Sequence, residues 1–289
     1  MSEPSNRKEH PSTYFVQDRS NEAEFNRLKV QDQMINASMG GPLAEQPDPT
    51  IFRRILDVGC GTGGWLIEMA KLCPHAMLLI GVDISERMIA FARAEAEAQQ
   101  VSDRVEFHMM DALRMLEFPS NYFDLVNQRF CNSFLRTWDW PKLLQEYQRV
   151  ARPGGVIRVT EADVATKSNS PALTRLSQVF LEAFYHAGHL FSPESRGVTG
   201  DLARLLTQHG IQDVQTRTYA LEYRAGTPEG ERYFEDVRLA ETLLPFIRKW
   251  GQVPENYAEL RRQTLEDLQR PDFVATLTVV TAWGTKGRR

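Results

Sequence analysis

The chain has 289 residues, 42% hydrophobic and 25% charged, with a formal net charge of -4. That is enough for one large domain, or one domain with a helical accessory region, of ordinary globular composition. The acidic balance offers no broad attraction for phosphate backbones, so nucleic acid is not an expected partner. Arg261-Arg262 and the tail from Lys286 to Arg289 are the tight basic clusters, read as a solvated face and a frayed end. Cys60, Cys73 and Cys131 are widely spaced and include no CxxC pair, which predicts neither a disulfide framework nor a metal site. No window reaches 18 uninterrupted apolar residues, so no membrane span is expected. The first residues, MSEPSNRKEHPST, lack the apolar core of a signal peptide, and a cytoplasmic location is the expectation.

Residues 1–12 are polar and expected to be disordered. Residues 21–39 carry Phe25, Leu28 and Ile35 at helical spacing, so 1–49 reads as a flexible segment with a lid helix, ending in the loop GGPLAEQPDP. One domain is expected over residues 50–289. In it, strands at 54–58, 77–82, 105–109, 123–127 and 156–161 alternate with helices at 64–72, 85–100 and 140–151. Ser85 is the expected cap of the second helix, and Pro153-Gly154-Gly155 the stop after the third. A helix at 201–209 and strands at 215–223 and 273–283 close the chain. Helical blocks at 171–191 and 229–270 interrupt this pattern, and lid or substrate helices are expected at about 165–200 and 227–272. The alternation predicts an α/β fold with a parallel sheet layered by helices on both faces.

The stretch DVGCGTGGW follows the first strand. Gly59, Gly61 and Gly64 fit a dinucleotide-type spacing; Gly59, Gly61 and Gly63 fit GxGxG. Either way the glycines let the backbone turn tightly and approach a ligand, beside a helix N-terminus. Asp57, just before them, would oppose a pyrophosphate but favour an ammonium or sulfonium group. Asp83, in GVDIS, lies twenty residues past Gly63 and suits a ribose diol. Asp111, in MDAL, can receive an adenine amino group.

Taken with FDLVNQR and RPGGVIRVTE, these motifs make the chain resemble the class I S-adenosylmethionine-dependent methyltransferases, strongly over about residues 50–165. The resemblance implies a Rossmann-like, doubly wound, seven-stranded sheet, mostly parallel with the last strand antiparallel. It implies S-adenosyl-L-methionine as cofactor, S-adenosyl-L-homocysteine as product, and no metal. On it, Gly59 and Gly61 would approach the amino acid moiety, Asp83 would hold the ribose hydroxyls and Met88 would pack near the adenine, with Asp57, Gly63 and Ile84 also in the cofactor site. Asp111 and Ala112 would read the adenine edge, and the backbone of Asn127 would lie below the donor methyl.

The expected acceptor is a small organic metabolite, with an apolar natural-product or isoprenoid-derived scaffold as a refinement; protein, tRNA and a non-catalytic cofactor-binding role are the alternatives. Tyr14 could sit near the methyl group or merely pack a loose segment. Glu161, His186 and His189 are candidate general bases. Glu161 could instead pair with Arg129 or Arg158. Phe180 and Phe184 could line an acceptor pocket or pack as core, and Arg129 could bind an acidic acceptor or balance local carboxylates. Exposed apolar helices leave a homo-oligomer open.

Overall fold

In the computed structural model, which describes residues 32–288, short apolar runs become strands buried on both faces. Arg54–Val58 (β1), Leu78–Asp83 (β2), Val105–Met109 (β3), Phe123–Arg129 (β4) and Ala151–Ala162 (β5) pair in parallel in the order β3-β2-β1-β4-β5. The two-residue Lys167–Ser168 (β6) and the long Ile211–Arg224 (β7) both pair antiparallel with Val274–Lys286 (β8), as does β5. The final strand thus runs against the rest, as expected. The sheet has eight strands rather than seven because β6 adds one short rung at Lys167 and Ser168.

Alternate residues feed two cores, as the period of a strand requires. Ile55, Leu79, Phe107 and Leu125 pack against Gly64–Leu72 (α2) and Glu86–Ala98 (α3). Leu56, Val58, Ile80, Val126 and Ile157 pack on the other side against Trp140–Val150 (α4) and Leu202–Gln208 (α6). The RPGG run follows the end of α4, as expected, but lies within a strand. Phe123 pairs with Ala151 and Leu125 next with Val156, so residues 152–155 bulge out of β5 and leave the strand continuous. The helical blocks resolve into Pro171–His186 (α5), Pro228–Leu239 (α7), Leu244–Trp250 (α8) and Tyr257–Leu268 (α9). Leu176 and Ala183 of α5 pack with Ile247, Tyr257 and Leu260, joining α5 to α8 and α9.

A strap over residues 32–46 begins with a helix at 32–39 (α1) and lies on the α2 face of the sheet. Met39 packs with Tyr219, Leu221 and Val279. The Trp65 indole N–H donates to the Pro42 carbonyl at 2.9 Å, and Arg217 donates to that of Ala44 at 2.8 Å. Glu45 pairs with Arg158 at 2.6 Å, both side chains only 1% exposed. Two charges buried together are tolerable; one alone is not. Arg158→Met should therefore cost roughly 3–5 kcal/mol in urea denaturation, and adding Glu45→Gln should recover part of it. A single variant as stable as the parent would contradict the pairing.

Candidate functional site

The glycine turn is built from backbone conformations that only glycine adopts freely. Gly59, Gly61 and Gly63 have φ of 70, 52 and 76°. The N–H groups of Gly59 and Cys60 donate to the Val82 carbonyl at 2.8 and 3.0 Å, fastening the turn to β2. A Cβ on Gly63 would lie 2.6 Å from the Phe107 ring, and one on Gly59 2.8 Å from the Cys131 sulfur. At Gly61 a Cβ would meet nothing within 4 Å. Gly61 therefore needs its left-handed backbone but borders open space, as a ligand-facing position should.

The acidic residues align along the same sheet edge because β1, β2 and β3 are adjacent. Asp83 accepts from the Gly61 N–H at 3.1 Å and the Ser85 N–H at 2.8 Å, tying the first two strand–helix junctions together. Ser85 caps α3 by accepting from the Met88 N–H, as its position predicts. Beside Asp83, Ile84 is 40% exposed and Met88 half-buried, an uncovered apolar surface suited to a flat ring. Asp111 accepts from the Leu113 N–H at 2.9 Å and pairs with Arg114; Ala112 packs at the margin of the core.

Asp57 is only 3% exposed, and burial pushes its carboxyl up to about 7, against the Arg129 charge and a 2.7 Å bond from the Asn127 amide. Asn127 in turn accepts from Arg158 at 2.7 Å. Its side chain is thus spent within the protein, and its backbone lies in register between β1 and β5. These residues fit a cationic adenosyl ligand: a buried carboxylate under the turn, an open glycine backbone and an apolar shelf beside a second carboxylate.

Several expected acceptor-side residues are elsewhere. Glu161 is 1% exposed on the opposite sheet face from Asp57, because it lies an odd number of residues from Arg158. It pairs with neither arginine. It accepts from the Gln128 amide at 2.9 Å and the Cys131 and Asn132 N–H groups at 2.9 and 3.2 Å, and burial pushes it up to about 7. It anchors the turn after β4. Arg129 donates to Asn36 at 2.5 Å and ion-pairs with Asp32, so it balances carboxylates and holds α1 instead of meeting an acceptor.

His186 is exposed, with Nδ1 3.1 Å from the Trp250 carbonyl. His189 is fully buried against Phe184 and Phe246, Nδ1 2.8 Å from the Leu135 carbonyl, and burial pushes it down to about 4. Neither histidine joins the aspartate edge. Phe180 and Phe184 pack α5 onto α8 and its neighbours, so they are core and not pocket walls. The Cys131 thiol is buried and pushed well up, a structural group. Tyr14 lies outside the described residues. Asp32, Asn36, Glu45 and Glu68 were not singled out by sequence reasoning. Asp32 and Asn36 are one helical turn apart, but nothing in the chain says that Arg129 faces them.

Residues 55–155 match a family model described as a methyltransferase domain. The chain is 34% identical over 119 residues to phosphoethanolamine N-methyltransferase 3 of Arabidopsis thaliana, covering 41% of this chain and 23% of that protein. It is 30% identical over 194 residues to a demethylmenaquinone methyltransferase of Deinococcus radiodurans, covering 64% of this chain and 66% of that one. Across four of these relatives, the Arabidopsis protein included, the chain spans only 23 to 41% of the relative's length. A solved structure of Haemonchus contortus phosphoethanolamine N-methyltransferase 2 with S-adenosyl-L-methionine shares the fold, with a TM-score of 0.54 at 19% identity, covering 96% of this chain and 60% of that one.

The Asp57 proton has a stability signature. An unfolded aspartate titrates at about 3.9. The folded state keeps this proton where the unfolded chain releases it, so the stabilisation is complete below about pH 4 and is lost as pH rises through about 7. His189 acts oppositely: its contribution is present above about pH 6.5 and lost as pH falls towards 4. Comparing variants isolates Asp57. From pH 5 to 6, wild type should lose about 1.4 kcal/mol per pH unit relative to Asp57→Asn in urea denaturation, and less steeply as pH approaches 7. Parallel pH profiles would contradict the assignment.

Proposed function

The chain belongs to the class I S-adenosylmethionine-dependent methyltransferases, and from that premise we propose that it methylates a small organic metabolite. The observation that carries the reading is the aspartate edge itself: Asp57, Asp83 and Asp111 end three neighbouring strands around the open backbone of Gly61. When bound, S-adenosyl-L-methionine supplies a methyl carbon already activated by its sulfonium, for a single in-line displacement that leaves S-adenosyl-L-homocysteine.

The protein's own task is then binding, alignment and exclusion of water. Asp83 is positioned to accept from a ribose diol while it keeps the turn bonded through Gly61. Ile84 and Met88 offer the apolar shelf for adenine, and Asp111 with Ala112 its polar edge. Asp57 sets a negative potential under the sulfonium end. Closing a cationic group over Asp57 favours its ionised form, so ligand affinity should rise with pH towards and beyond 7.

A small acceptor is supported by the names of relatives that act on phosphoethanolamine or demethylmenaquinone. The apolar or isoprenoid refinement loses its basis, since Phe180 and Phe184 join helix to helix. Neither the acceptor atom nor a base is assigned, since Glu161 and His189 are both buried. Among the described residues no helix is long and apolar enough to cross a membrane.

The test is calorimetry with S-adenosyl-L-methionine and S-adenosyl-L-homocysteine, followed by labelled-methyl transfer across an acceptor panel. Asp83→Ala, which removes a charged hydrogen-bond acceptor, should weaken the binding of both by about tenfold or more. Unchanged affinity in that variant would contradict Asp83 as the ribose residue. Absence of binding to wild type would overturn the whole reading.

A further inference from the structure

The antiparallel pair β7–β8 rises above the strand ends that carry the aspartates. β5 ends at Ala162, paired with Val279, while β8 has residues 274–278 beyond that pair and β7 accompanies it to Arg224. The two faces of this overhang differ. Tyr219, Leu221 and Tyr223 pair with Val279, Leu277 and Ala275; between them, Ala220 and Glu222 pair with Thr278 and Thr276. Ala162 and Arg158 share a face by the two-residue period of a strand. The apolar side of the overhang is therefore the strap side, which also carries Asp57 and Asn127.

Packing covers this apolar strip unevenly. Met39 of α1 lies with Tyr219, Leu221 and Val279, and Tyr233 of α7 stacks on Tyr223 with ring centroids 4.7 Å apart. Leu277 and Ala162 stay half-buried. Phe130 extends the strip, and the backbone is strained to put it there. Arg129 reaches the strap, so simple alternation would send the next side chain to the opposite face. Phe130 instead takes the left-handed conformation, φ 55° and ψ 35°, which bulky side chains avoid and which concentrates at functional sites. Its ring thereby joins the Ile35, Met39 and Leu277 cluster, with the Arg129 guanidinium 5.5 Å from its centre, and is itself half-buried. β4 pairs with β1, so Phe130 follows directly on the strand that borders the glycine turn.

We propose that Phe130, Ala162 and Leu277 form a wall of the acceptor site and select a methyl acceptor that presents an apolar group beside its reacting atom. This rests on the methyl-donor reading above and deepens it by naming the chemistry of the acceptor. An apolar group laid on these side chains gains affinity with the area it buries, whereas a charged or hydroxyl-rich one would lose its water there without a partner. The wall thus gives an apolar acceptor a footing that Phe180 and Phe184 do not.

The test is calorimetry on protein saturated with S-adenosyl-L-homocysteine, with 2-naphthol as the apolar probe and ethanolamine as the polar one. Wild type should bind 2-naphthol about tenfold or more tightly than ethanolamine. Leu277→Asn should weaken 2-naphthol by about tenfold and leave S-adenosyl-L-homocysteine within about twofold. Phe130→Gly suits the left-handed backbone, so it removes the ring without adding strain and should have the same two effects. If Leu277→Asn fails to fold, Phe130→Gly decides alone. Equal affinity of wild type for the two probes, or 2-naphthol binding unchanged in the variants, overturns the wall while leaving the methyl-donor reading intact. Failure of wild type to bind S-adenosyl-L-homocysteine overturns both.

Discussion

A row of polar side chains crosses one face of the sheet, and the site depends on it. Asp57, Asn127 and Arg158 are register partners on adjacent strands, and the row ends on Glu45 of the strap. Each member is buried, so each must be answered by the next. The row does two jobs. It holds the strap against the sheet, and it keeps a carboxylate under the glycine turn in surroundings poor enough in water that its charge matters.

The opposite face carries a second polar cluster with a different job. Tyr147 donates to Gln128 at 2.8 Å, Gln128 donates to Glu161, and Glu161 receives two backbone N–H groups from the turn after β4. That turn brings Cys131 against Gly59. The glycine turn is therefore fixed from below by Glu161 acting through the β4 turn, and from the side by Asp83. Neither support is free to move without disturbing the backbone at Gly61, and that rigidity is what preorganised binding requires.

Much of this was legible in the chain, for a physical reason. β1 and α2 have the bounds read from sequence, because an apolar run, a glycine cluster and an amphipathic run follow each other without ambiguity. The Ser85 cap and the three strand-end aspartates are equally local. The alternatives left open for the acceptor-side residues could not be decided from the chain, because their meaning is not local. Glu161 and Arg158 lie three positions apart on one strand, and only the sheet decides which face each takes. Phe180 and Phe184 were read as pocket or core from the same spacing; the partner helix α8, some sixty residues on, decided for core. Arg129 and Asp32 lie 97 residues apart, and their pairing belongs to the folded state alone. The bulge at residues 152–155 was missed because Pro-Gly-Gly signals a break equally well within a strand and between elements.

The most direct measurement is a crystal structure of the protein grown with S-adenosyl-L-homocysteine. The account predicts the ribose hydroxyls on Asp83, the adenine against Ile84 and Met88, and the amino acid end beside Gly61 at the carboxyl edge of β1. Density for the ligand at any other surface, or an empty aspartate edge at saturating ligand, would contradict it.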